Sequence, residues 1–130
     1  MAVSTTSIPD RLAETLVIDT SASATAADNV FTGVTLGDKI YSVRLDNSAI
    51  TSASYFKAQF ATTYDVQNQP VIVLYVPASS SVEYVFPEGF PKGGLSTGLS
   101  FIGTSTLTQT GTQSNPTGNG SLKVTILAGT

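Results

Sequence analysis

The chain contains no cysteine, no histidine and no tryptophan. Each absence closes off a kind of chemistry. Without cysteine there are no disulfides, no thiolate zinc sites and no thiol catalysis; such a chain tolerates either redox environment, so the compartment stays open. Without histidine the commonest general base and metal ligand is missing, and neither Ser-His-Asp nor Cys-His arrangements can be assembled. Charge is scarce too. Charged residues make up 12% of the 130 residues, against about 25% in an average soluble domain. Solubility therefore rests on Ser, Thr, Asn and Gln, and an uncharged, hydroxyl-rich surface suits packing against other protein. The basic residues Arg11, Lys39, Arg44, Lys57, Lys92 and Lys123 are scattered through a chain of net charge −3. Nucleic acid is not an expected partner, because displacing counterions takes a clustered basic face. The longest apolar run, VIVLYV at Val71 to Val76, falls far short of the roughly 20 residues of a membrane-spanning helix. The opening MAVSTTSIPD has no basic stretch followed by an apolar one, so neither a signal peptide nor a membrane partner is expected.

What remains is alternation. In SYFKAQF, Phe56, Ala58 and Phe60 share one face, and Tyr55, Lys57 and Gln59 the other. SVEYVF separates Val82, Tyr84 and Phe86 from Glu83 and Val85; SLKVTIL separates Leu122, Val124 and Ile126 from Lys123 and Thr125. KIYSVRLD places Tyr41, Val43 and Leu45 opposite Ser42, Arg44 and Asp46. A period of two means half-buried strands. VIVLYV is apolar on both faces, which predicts a central strand covered on both sides or one covered by a neighbouring subunit. Weaker strands are expected near Leu16, Val30 and Leu99. Asp46-Asn47, Pro77 to Ser80, Pro87-Glu88-Gly89 and Pro91 to Gly94 read as turns between strands. TQTGTQSNPTGNG, Thr108 to Gly120, reads as a loop or mobile tip. No stretch reads as a helix. The expectation is an all-β chain: a single antiparallel β-sandwich, a jelly roll of about eight strands spanning residues 12–130, preceded by an extended polar N-terminal arm at residues 1–11.

No catalytic, cofactor or metal site emerges, so the chain does not read as an enzyme. Glu83 with Glu88, and Asp10 with Glu14, are the carboxylate pairs nearest in sequence, but a glycosidase needs two across a cleft; Glu83 reads as the solvent half of a strand and Glu88 as part of a turn. Asp28-Asn29, Asp38 and Asp46-Asn47 are hard oxygen donors, yet no calcium-loop spacing joins them. GFPKGGLSTG lacks the order of a phosphate loop and reads as a bend that lets the chain change sheets. Most of the five tyrosines, Tyr41, Tyr55, Tyr64, Tyr75 and Tyr84, sit at alternating positions beside aliphatics and suit core or interface packing better than a sugar platform. Asn119-Gly120-Ser121 matches a glycosylation sequon, which carries no reading without a secretory signal.

Taken in order, these pieces resemble a group of small β-sandwich virion proteins of tailed bacteriophages. The matching residues are Asp46-Asn47, Tyr55-Phe56-Lys57, Pro70, Val76-Pro77-Ala78, Phe86-Pro87-Glu88-Gly89, Ser96-Thr97-Gly98-Leu99-Ser100 and Val124-Thr125-Ile126-Leu127. They extend from about Ile40 to Leu127, and Pro91-Lys92-Gly93-Gly94 is an insertion relative to the pattern. The resemblance implies a capsid cement, decoration or head-fibre protein on the phage head surface. It further implies a homotrimer whose partners are the major capsid protein and its own copies, with no cofactor and no small-molecule substrate. On that reading Val71, Val73, Tyr75, Tyr84 and Phe86 form the oligomer contact. In the arm, Ile8 is the apolar anchor for capsid attachment, with Pro9 and Arg11 at its exit. The competing reading is a tail- or fibre-associated module that binds host glycans, with exposed tyrosines near the 108–120 loop.

Overall fold

The computed structural model describes residues 15–24, 28–29, 36–118 and 120–129. The arm with Ile8, Pro9 and Arg11 lies outside the described residues, as do Asp10, Glu14, the stretch at Val30 and Asn119.

Eight strands are described: β1 (Thr15–Ala22), β2 (Asp28–Asn29), β3 (Lys39–Asp46), β4 (Ser54–Gln59), β5 (Ile72–Val76), β6 (Ser81–Phe90), β7 (Ser100–Thr104) and β8 (Leu122–Gly129). They form two antiparallel sheets, ordered β1-β8-β3-β6 and β2-β7-β4-β5. Only β4 and β5 are both consecutive and paired; every other connection crosses from one sheet to the other. No helix occurs among the described residues. Between the layers lies one apolar core. Ile40, Val43, Leu45, Leu122, Val124 and Ile126 come from the first sheet; Phe56, Ala58, Ile72, Val76 and Phe101 come from the second. Phe56 and Phe101 stack at the centre, with ring centroids 5.1 Å apart.

Alternation placed the faces of β4, β6 and β8 as expected. Phe56 and Ala58 are buried in the core, Val82, Tyr84 and Phe86 pack against it, and Leu122, Val124 and Ile126 are fully enclosed. Four expectations need correction. VIVLYV is not a central strand: β5 is the edge of its sheet, paired with β4 alone. Tyr41 does not share the face of Val43 and Leu45, because the β3 register shifts between Ile40 and Ser42 and Ile40 takes the core position instead. Phe-Pro-Glu-Gly is not a turn between strands. It bulges out within β6, where Ile40 faces Phe90 and Ser42 faces Val85, leaving three more residues on β6 than on β3. A bulge at an edge is one of the few sheet positions that accept proline. Finally, Lys57 and Gln59 lie on the outer face of β4 as their period demands, yet both are buried, because two loops fold over that face.

The turn at Pro91 to Gly94 follows the cis Phe90–Pro91 bond and closes with the Gly94 N–H donating to the Pro91 carbonyl at 2.9 Å. Between Phe90 and Ser100 the chain passes from the first sheet to the second, as GFPKGGLSTG foretold.

Candidate functional site

The outer face of the second sheet carries three features side by side: a cleft over β7, a buried lysine on β4 and an apolar strip on β5. Their order follows from register. Ile102 of β7 faces Lys57 of β4, and Lys57 faces Val73 of β5.

Lys57 has no exposed surface. An ammonium carries three protons, and three acceptors meet them closely: the carbonyls of Thr106 at 2.8 Å and Thr108 at 2.5 Å, and Oε1 of Gln113 at 2.9 Å, while the Leu107 carbonyl lies farther off at 3.5 Å. None of the three is a carboxylate. Burial, with no carboxylate among its described hydrogen-bond partners, pushes the Lys57 amine below its usual 10.5. The acceptors belong to the segment after β7, which sequence composition marks as a loop or mobile tip. Here it is a strap across the sheet. Gln113 donates to Thr108 and Gly111, Thr104 Oγ1 donates to the Ser114 carbonyl at 2.9 Å, and the Ser114 N–H donates to Thr106 Oγ1. Asn115 Oδ1 accepts from the Ala24 N–H at 2.7 Å. The period of two marked Lys57 as outward-facing. Only the folded strap turns outward-facing into buried.

The second loop, between β4 and β5, is tied to Gln59. Its amide donates to the carbonyls of Asp65 (2.7 Å) and Asn68 (3.0 Å) and accepts from the Asp65 N–H (2.8 Å). The two loops meet where the Gly111 N–H donates to the Val66 carbonyl at 2.8 Å. A cleft of about 650 Å³ lies here, lined by Ala24, Thr63, Tyr64, Asp65, Val66, Asn68 and Ile102. Tyr64 is 7% exposed, and its hydroxyl has no hydrogen-bond partner. Burial raises its pKa from 10.0 to about 12. A raised folded pKa means that the unfolded chain loses its proton first, so this phenol contributes stability below pH 10 that is lost as pH rises from 10 to about 12. Ultraviolet titration should show one tyrosine ionising near pH 12, absent in Tyr64→Phe; if the variant keeps that phase, Tyr64 is not the buried phenol.

Along β5 and the residue before it the outward side chains are Val71, Val73 and Tyr75, exposed by 47%, 36% and 46%, while Ile72 and Val76 point into the core. The Tyr75 ring packs on Tyr55 with centroids 5.6 Å apart. Of the five residues expected at an oligomer contact, these three share an exposed strip. Tyr84 and Phe86 do not join it: they face inward from β6 and pack on the core. The Tyr84 hydroxyl donates to the Tyr75 carbonyl and so joins the edges of the two sheets.

The other candidates are occupied with structure. Glu83 is exposed on β6 opposite Arg44, and Glu88 is exposed in the bulge; they border different surface depressions rather than one cleft. Asp46 accepts from the Ser48 N–H and the Ser81 hydroxyl, and hydrogen bonds from Ser48 hold its carboxyl below the usual range. Asn47 is fully buried, donating to the carbonyls of Ser52 and Pro77 and accepting from Ser54 Oγ. Both residues are therefore turn-formers. No group of three or more potential metal ligands occurs among the described residues. The tyrosines do not cluster in the open near the strap. Tyr75 is exposed on β5, whereas Tyr64, the one beside the cleft, is buried. No composition signal separates Tyr64 from the rest, since its setting is made by two loops. Compared with known proteins, the chain matches no family model, no curated protein and no solved structure.

Proposed function

We propose that the chain is a structural protein of a tailed-phage virion, a cement or decoration protein that associates with itself as a trimer and with the major capsid protein on the head surface. The sequence resemblance supports this reading, and so does the strand order. β1-β8-β3-β6 facing β2-β7-β4-β5 supports reading the sandwich as a jelly roll, an architecture that recurs in capsid proteins.

The observation that carries the proposal is the condition of the sheet edges. Proteins guard exposed edges with charge, proline, bulges or brevity. β1 carries Asp19 and an irregular register near it; β6 carries Glu83, Pro87 and its bulge; β2 has two residues. β5 reads Ile-Val-Leu-Tyr-Val, with no charge and no proline, and Pro70 and Pro77 stand just outside it. Among the described edges it is the unguarded one, and Val73 and Tyr75 on it, with Val71 just before it, are exposed. A stable contact of this kind buries more than about 1,200 Å² in all.

Val73→Lys supplies the missing guard. Sedimentation equilibrium should show a trimer for the parent and a monomer for the variant, with association weakened at least ~100-fold, about 3 kcal/mol, because an unpaired charge would be buried. The fold should persist, as the side chain is outward. A monomeric parent, in solution and in the particle, would sink the trimer. In the same reading the arm attaches the trimer to the head through Ile8, Pro9 and Arg11, by strand addition to a partner edge. Deleting residues 2–10 should leave the melting transition intact and sharply reduce binding to heads stripped of the protein. Full saturation by the truncated chain would move attachment to the sandwich.

A further inference from the structure

We propose that the cleft between the two loops over β7 is a binding site for a neutral saccharide unit. This inference rests on the cleft and is independent of the β5 strip.

The cleft has the make-up of a small-ligand site: concave, with an apolar floor and a few convergent polar groups. Ile102 and the Tyr64 ring, nearly all of it buried, form the floor, with Ala24 and Val66 beside them. Thr63, Asp65 and Asn68 are exposed on the rim and bring a hydroxyl, a carboxylate and an amide. That set donates to and accepts from vicinal hydroxyls. Among the described residues no lysine or arginine lines the cleft, so none of its described groups selects an anion. A single carboxylate, already accepting from the Gln67 N–H at 2.9 Å, does not make a cation site. A peptide strand would gain no ladder bonds here, since β4 and β7 are already paired with each other beneath the floor.

The second, independent observation is the Tyr64 hydroxyl. The residue is more than nine-tenths buried in the cleft wall, and its hydroxyl meets no acceptor. The Ser100 hydroxyl, opposite Gln59 on the same outer sheet face, is likewise buried and unpartnered. Buried polar groups without partners are uncommon and mark places where a water, an ion or a ligand completes the structure. A protonated phenol can donate as well as accept, and a sugar hydroxyl or ring oxygen provides the missing acceptor when the Tyr64 ring swings toward the cleft. The floor that hosts the apolar face of the sugar thus stands beside a buried donor that lacks an acceptor among the described residues.

The test is an amide-resolved NMR titration of the full chain with glucose, galactose and N-acetylglucosamine, each taken to high millimolar concentration. The proposal expects saturable shifts confined to Ala24, residues 63–68 and Ile102 with at least one of the three. Tyr64→Phe should bind the same sugar about tenfold more weakly while melting no lower than the parent, because the lost hydroxyl had no partner. Thr63→Val, on the exposed rim, should also weaken binding without unfolding risk. In the titration, three outcomes overturn the site: no saturable shift with any sugar; equal affinity in Tyr64→Phe and the parent; or equal shifts with N-acetylglycine amide, which would assign the cleft to peptide. A high-resolution structure of the sugar-soaked protein holding only an ordered water at the Tyr64 hydroxyl would do the same.

Discussion

Replacing Lys57 with methionine is expected to lower stability by about 3 kcal/mol, a fall of roughly 10 °C in melting temperature. The stem fits, so little packing is lost. What is lost is the donor to the Thr106 and Thr108 carbonyls and to Gln113 Oε1. Each orphaned buried acceptor costs about 1–3 kcal/mol, and the total is capped by the ability of the strap to open and hydrate. Hydrogen exchange should therefore quicken from residue 105 to 115 first, leaving β8 and β3 protected. Adding Gln113→Leu should deepen the loss, because it also removes the donor to the Thr108 and Gly111 carbonyls. A Lys57→Met protein that melts with the parent would mean the ammonium is solvated and the strap unlatched. The pH dependence gives a second readout. With the folded pKa of Lys57 below its unfolded 10.5, the unfolded chain holds the proton longer, so this group makes stability rise with pH in the interval just below 10.5. Lys57→Met should abolish that rise, whereas Tyr64→Phe should abolish the fall between 10 and about 12.

Gly94→Ala is expected to cost about 3 kcal/mol or more, and Gly93→Ala next to it less than about 0.5 kcal/mol. Gly94 has φ of +79°, a region that costs a side chain about 1–3 kcal/mol on its own. A β-carbon there would also lie 2.3 Å from the Gly37 carbonyl oxygen. That neighbour is backbone and is pinned: the Gly37 N–H donates to Leu95 at 2.7 Å, and the Leu95 N–H donates to Asp38 at 2.8 Å. Relief would mean breaking the pair that ties the entry of β3 to the approach to β7 and seats Leu95 in the core. A β-carbon on Gly93 meets nothing within 4 Å. Chemical denaturation of the two variants side by side checks the contrast; equal stabilities would refute the close approach. The Pro91 to Gly94 turn is thus an anchor joining two elements.

The sequence by itself determined the faces of β4, β6 and β8, because a period of two is local: each residue's side follows from its neighbours. It also determined the absence of helical pattern and the bend between Phe90 and Ser100, because glycine and proline restrict the backbone wherever they stand. Tertiary structure alone decided the rest. Whether Val71, Val73 and Tyr75 are covered depends on which strand lies beyond β5, and nothing in Ile-Val-Leu-Tyr-Val encodes the far neighbour. Tyr41 lost its core place to a register shift made against β6. Lys57 has the spacing of an exposed residue and the environment of a buried one, since a segment some 50 residues later folds across it with oxygens aimed at its amine. The cleft was illegible for the same reason: Tyr64, Val66 and Ile102 come together only when two loops, each polar and unremarkable in the sequence, meet at the Gly111–Val66 hydrogen bond.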